Sequence, residues 1–196
     1  DLNKSAPKSA KSLFSMRMAA NAAFLLEEYE ILAEIADEAR TMPPPDPSEA
    51  TIHMPAIETL LALAEGRLQE ALDLARYVIE ETSKAGATGV WLAFDMVYCA
   101  AEVLREQGEE NHAIALIEWH MADAKKFHVT SWQAAFEAKH ALIEAQLGRS
   151  TAGLHRIRKI RDDLDSPKFS LEIFRVVDEH ELIIRSLLGD FERMAE

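Results

Sequence analysis

The stretch "LALAEGRLQEALDLARYVIEETSKAG", residues 61–86, carries a single glycine, Gly66, inside an otherwise helical pattern. Ala71 follows five residues later, and a second amphipathic run continues from it. Glycine reaches the left-handed backbone that ends a helix within a tight turn. A small residue just after the break lets the second helix cross close against the first. The stretch therefore reads as an antiparallel helix hairpin. The same punctuation returns at "REQGEENHAI" (105–114), "AQLGRSTAGL" (145–154) and "SLLGDFERMA" (186–195), so that the break glycines fall at 66, 108, 148 and 189. One spacing earlier lies Glu27, in "LLEEYEILAEIADEA" (25–39). A period near forty residues is the mark of a stacked helical-repeat array.

Within each unit the first helix carries apolar residues at helical spacing, as in Trp91, Phe94, Val97, Tyr98, Ala101 and Leu104. The run "TSWQ" (130–133) reads as a capping box opening a first helix, and "DSPKF" places Ser166 as a cap with Pro167 at the first helical position. The prolines of "RTMPPPDPSEAT" (40–51) remove donors and restrict φ, which marks the longest connector. Pro55 either kinks the helix that follows or delays its start. The expected organisation is a flexible segment over 1–12 and a helical domain over 13–196. That domain divides into a hairpin at 13–41, a Pro-rich connector at 42–54 and repeats over 55–196. The last unit, rich in Ile173, Phe174, Val177, Ile184 and Leu188, is expected to be cut short, so the chain reads as part of a longer polypeptide. No stretch alternates with period two, so the fold class is all-α.

The chain has 196 residues, 48% of them hydrophobic, enough to bury a core. Its formal net charge of −13 repels phosphates and argues against direct nucleic-acid binding by this segment. Cys99 is the single cysteine, so no internal disulfide forms and the cytoplasm is the expected compartment. No apolar run reaches the length of a membrane span.

The pattern Gly, any residue, Leu or an aromatic, two more residues, then Ala resembles the tetratricopeptide repeat. "GRLQEA" (66–71) matches it well, and "GEENHA" (108–113) keeps both small residues. "GRSTAG" (148–153) puts Gly153 in the place of the alanine, "GDFERM" (189–194) keeps Phe191 but has Met194, and "EEYEIL" (27–32) keeps only Tyr29. The longer period resembles the sensor region of MalT/LuxR-type bacterial transcription regulators. That resemblance implies a right-handed superhelix of antiparallel hairpins, an α-solenoid. It also implies a nucleotide-binding module upstream and a helix-turn-helix downstream in a parent chain.

Catalytic signatures are missing: there is no GxxxxGK[ST], GxGxxG, GxSxG or HExxH. Gly86 and Gly89 read as turn glycines between repeats. Glu109 with His112, and Glu137 with His140, have the Glu-x-x-His spacing used in di-iron bundles. Without two further inward glutamates on facing helices, they read as surface acids and incidental histidines. Cys99, beside Tyr98 in an apolar helix, reads as a packing residue. The basic run "HRIRKIR" (155–161) reads as the solvated face of a second helix rather than a nucleic-acid patch. No enzyme, cofactor or metal is expected.

The resemblance also implies that first helices line a concave groove. Counting back from each break residue selects Arg17, Asn21, His53, Asp95, Tyr98, Glu102, Arg105, Gln146 and Glu179, with Trp91 further up the same face. Such a mixed aromatic and charged set suits a peptide, a protein or a small-molecule effector, with the parent chain's other domains as further partners and a homodimer left open. The expected function is a non-catalytic binding module, the sensor of a larger regulator. The alternative is a scaffold or adaptor of the same fold with no link to DNA.

Overall fold

The structure, a computed structural model, describes residues 12–42, 47–84, 90–164 and 171–190. Gly86, Gly89, Ser166, Pro167, Phe191 and Met194 lie outside the described residues, as do residues 1–11 and 43–46 and the side chain of Trp91. All regular structure among the described residues is helical, and no helix there is long and apolar enough to cross a membrane.

Among the described residues four hairpins and a further helix succeed one another. They are α1 (Leu13–Leu25) with α2 (Tyr29–Thr41), α3 (Pro47–Ala64) with α4 (Leu68–Lys84), α5 (Phe94–Glu106) with α6 (Glu110–Lys126), α7 (Thr130–Glu144) with α8 (Ser150–Leu164), and then α9 (Leu171–Leu188). Every break residue named above has left-handed φ: Glu27 at 58°, Gly66 at 73°, Gly108 at 75°, Gly148 at 81° and Gly189 at 69°. Most of these turns close with the same two bonds. Gly66 N donates to Leu63 O (3.1 Å) and Arg67 N to Ala62 O (2.8 Å), and the corresponding pair recurs at Glu27, Gly108 and Gly189. The left-handed residue thereby returns otherwise orphaned C-terminal carbonyls to hydrogen bonding. Beyond each break the second helix buries one stripe: Ala71, Leu72, Ala75 and Val78 in α4, and Ala113, Ile117, Met121 and Ala124 in α6.

First helices are different, because they are wrapped on several sides. Phe94 to Ala101 of α5 are buried without interruption, and α7 buries Ala134, Ala135, Phe136 and then Ala138 to Ile143. The packing order explains this. Helix α1 lies against α3, α3 against α5, α5 against α7 and α7 against α9, while each second helix also touches the first helix of the next pair. Helix α9 then returns to α1. Arg175 of α9 pairs with Glu27 (2.5 Å) and donates to the Leu26 carbonyl at the α1–α2 turn.

Three boundaries depart from the sequence reading. Helix α3 starts at Pro47, so residues 47–54 are helix and the connector is shorter than 42–54. Proline is at home at a first helical position, where its missing N–H would be orphaned anyway. Pro55 lies inside α3 and does not end it; Thr59 Oγ1 donates to the Pro55 carbonyl at 2.8 Å. The "TSWQ" box does not form. His128 takes the left-handed conformation (φ 55°) and closes α6, which makes Val129 the cap without a side-chain bond, and Gln133 Nε2 bonds the Ala124 carbonyl instead. A capping box does form at Ser12, whose Oγ accepts from Ser15 N while Ser15 Oγ accepts from Ser12 N, both at 3.1 Å.

Candidate functional site

The groove set divides into groups once folded. Arg17, His53 and Asp95 form a buried cluster linking α1, α3 and α5. Arg17 Nε donates to Asp95 Oδ2 at 2.9 Å and Nη2 to Oδ1 at 2.5 Å; Nη2 also reaches the Leu92 carbonyl, and Nη1 lies 3.4 Å from His53 Nδ1. Arg17 has no exposed surface. Burial, followed by the Arg17 charge, lowers the His53 pKa to about 4, so its ring is neutral and Nδ1 serves as acceptor. These three residues were expected to line an open groove; instead they fasten first helices to one another. Tyr98 is buried as well, so replacing it cannot leave the core untouched. The physical reason is the mutual packing of first helices: the inward face meets another helix where solvent was expected. Asn21 is half-buried beside Met18, Trp132 and Ile173 in a shallow cavity of about 230 Å³. Gln146 is exposed in the turn before α8.

Tyr98, Glu102 and Glu179 do come together. They line a cavity of about 130 Å³ where α1, α5, α7 and α9 converge, with Phe24, Glu27, Tyr29, Lys139, Val176 and His180 among the other walls. Lys139 is its centre. The ammonium lies 2.6 Å from Glu102 Oε2 and 4.3 Å from the centre of the Tyr98 ring, and Arg105 adds bonds to the same carboxylate at 3.0 and 2.6 Å. Burial opposes ionisation of Glu102, but Lys139 and Arg105 outweigh it and hold its carboxyl well below its ordinary value. Burial likewise opposes the charge on Lys139, and Tyr98 and Glu102 restore it to above its ordinary value.

The opposite side of the cavity is not so compensated. Glu27 is taken by Arg175, whereas Glu179 has no ion-pair partner among the described residues. Burial and then the nearby Glu27 charge raise its pKa, and burial with Glu27 and Glu179 raises that of Tyr29. His180 is 3% exposed, and neither ring nitrogen has a hydrogen-bond partner among the described residues; the Val176 carbonyl one turn back favours a ring proton without meeting bonding geometry. Burial, then Lys139, pushes its pKa well down, so the ring is neutral.

Lys139 and His180 were missed in sequence reading. The available signal was a lone lysine inside "AAFEAKHALI" (134–143) and a histidine at inward register in "VVDEHELII" (176–184). Other motifs resolve into structural roles. Arg156 pairs with Glu137 (2.7 Å) and Glu144 (2.9 Å), and Arg161 with Glu181 (2.5 Å) and Asp178 (2.6 Å), so these two arginines tie α8 to α7 and α9, while His155, Arg158 and Lys159 of the basic run are exposed as expected. His112 and Glu109 bond each other on the surface at 3.0 Å. Cys99 is buried, and that burial pushes its thiol pKa up. Among the described residues no group of three or more His, Cys, Asp or Glu could hold a metal ion. A larger open groove of about 700 Å³ runs between α4 and α6 over α5, with Leu72, Ile79, Leu104 and Leu116 in its walls and Trp119 at its edge, 75% exposed.

Compared with protein-family profiles, curated proteins and solved structures, the chain finds no match.

Proposed function

We propose that this chain is a non-catalytic binding module built as a long-period tetratricopeptide-like array, and that it serves as the effector-sensing region of a larger bacterial transcription regulator. The observation that carries the binding part is the cavity at the α1, α5, α7 and α9 convergence. It holds an unpaired carboxylate, a buried histidine without partners and aromatic walls, features suited to a small ligand. Left-handed break residues at Glu27, Gly66, Gly108 and Gly148, each between the two helices of a hairpin, and at Gly189, which closes α9, support the repeat architecture. The regulatory part rests on resemblance, and fold alone never fixes function.

The test is a thermal-shift screen of small molecules and peptides, followed by hydrogen exchange with the best stabiliser bound. Protection of α5, α7 and α9 is expected; protection confined to other helices overturns the site. For the regulatory link, the full reading frame is expected to carry a nucleotide-binding motif upstream and a basic helix-turn-helix downstream. A frame with neither overturns that link. The second reading, a scaffold or adaptor with no tie to DNA, is favoured by Trp119, a large exposed aromatic beside the α4–α6 groove.

A further inference from the structure

The cavity described above has a readable charge ledger. Three carboxylates reach its lining, from Glu27, Glu102 and Glu179, against the one ammonium of Lys139. Arg175 neutralises Glu27, Lys139 neutralises Glu102, and Arg105, outside the lining, is shared between Glu102 and Glu106. Glu179 is left over. An anion would find no free base there, because Lys139 and Arg175 are both engaged in ion pairs. A cation would find one uncompensated negative charge, the Glu179 carboxylate at the solvent-exposed rim of the cavity.

Size and hydrogen bonding narrow the class. About 130 Å³ holds a charged head with a short aliphatic stem, and Phe24, Leu25 and Val176 supply apolar wall for that stem. His180 adds an independent sign that something is meant to sit here. A neutral imidazole has one donor and one acceptor nitrogen, and both are buried here without a partner. Leaving a buried polar atom unsatisfied is costly, and a ligand N–H that bonds the acceptor nitrogen recovers that part of the cost, the ring N–H being left to face the Val176 carbonyl. An ammonium offers three N–H donors, enough for the Glu179 carboxylate and the imidazole acceptor together.

We propose that the cavity between α1, α5, α7 and α9 binds a small primary alkylammonium ion, its charge met by Glu179 and its N–H groups turned toward His180. This rests on the reading of the domain as a binding module and names the ligand class of that same cavity. The group arrives either as a free amine or as a lysine side chain presented by a peptide.

The experiment is calorimetric titration of the intact chain with n-butylammonium chloride, tetramethylammonium chloride and Nα-acetyl-lysinamide. Butylammonium is expected to bind and tetramethylammonium, which lacks N–H donors, to bind about tenfold more weakly or not at all. Butylammonium binding tighter than that of acetyl-lysinamide assigns a free amine, and the reverse assigns a peptide lysine. Glu179→Gln is expected to weaken butylammonium about tenfold, the worth of one charge-assisted hydrogen bond. His180→Leu should weaken it similarly while raising the melting temperature of the empty protein, because an unsatisfied polar ring has been exchanged for an apolar side chain of similar volume. This second variant keeps the test sharp even if Glu179→Gln disturbs the fold. Absence of butylammonium binding, equal affinity for tetramethylammonium, or unchanged binding in both variants overturns the proposal. If no amine binds while another stabiliser from the screen still protects α5, α7 and α9, the ligand class falls and the binding module stands.

Discussion

A Cβ built on Gly153 would lie 2.5 Å from the Ala141 carbonyl oxygen and 3.4 Å from the Ala145 Cβ. The obstacle is backbone, so the contact is relieved only by moving α8 away from α7. Elsewhere in a helix, Gly→Ala gains about 0.5–1 kcal/mol, whereas overpacking a tight crossing costs about 1–3 kcal/mol. Gly153→Ala is therefore expected to lower the urea midpoint by the equivalent of about 1 kcal/mol or more; a raised midpoint would show that the crossing yields. Residue-level signals were legible in uneven measure. The glycines mark their own turns through φ, and Gly153 was recognisable as the small residue at its hairpin's crossing. Glu27 showed itself only through its spacing from Gly66. His128, also left-handed, is neither a glycine nor a member of that spacing, so nothing in the sequence singled it out.

Helices α5 and α7 meet through a pairing whose two partners are unequally replaceable. Glu102 has both Lys139 and Arg105, whereas among the described residues Lys139 has only Glu102 and the Tyr98 ring to meet its charge. Glu102→Gln leaves a buried ammonium without a counter-charge and is expected to cost about 3 kcal/mol. Lys139→Met leaves Glu102 held by Arg105 and keeps an apolar chain against Tyr98, so a loss of about 1 kcal/mol is expected. Guanidinium unfolding of the two variants side by side decides this; equal losses would mean that Arg105 contributes nothing to holding Glu102. The elements themselves were well marked in the sequence, because helical periodicity and break residues depend on near neighbours. Their starts were less so: a proline at first position opened α3 eight residues before the repeats were expected, at Pro47.

Acid should weaken the molecule as a whole. His53 titrates near 4 in the fold, against an ordinary value of 6.5, in an environment set by Arg17, Asp95 and the Phe14 ring. As pH falls below 6.5 the unfolded chain takes up that proton and the folded one does not, so stability drains until about pH 4 and amounts to about 3 kcal/mol at this site. His120, His140 and His180 are lowered too and act with the same sign. Glu102, Glu144 and Glu181, held below 4.5, add a further loss beneath that pH. Urea midpoints should fall steadily from pH 6.5 downward, and His180→Leu should flatten the upper part of the curve; a profile level to pH 4.5 would contradict this. The same scale explains why the site was only half legible. Periodicity says which face of a first helix points inward, and the groove positions that the resemblance implies include Tyr98, Glu102 and Glu179, which line one cavity. Whether that face meets solvent or another helix depends on how far the succession of crossings turns, a sum over every hairpin, and so Arg17, His53 and Asp95 ended in the core.

Arg175 reaches back across 149 residues to the Leu26 carbonyl. Hairpins closed by short turns can form early and independently, but this seam must wait until everything between has been laid down, since closure entropy grows with the length enclosed. An open row of hairpins would unravel one end at a time, each end indifferent to the other. Here the first and last described helices touch through Arg175, so loosening either one breaks a contact that the other also uses.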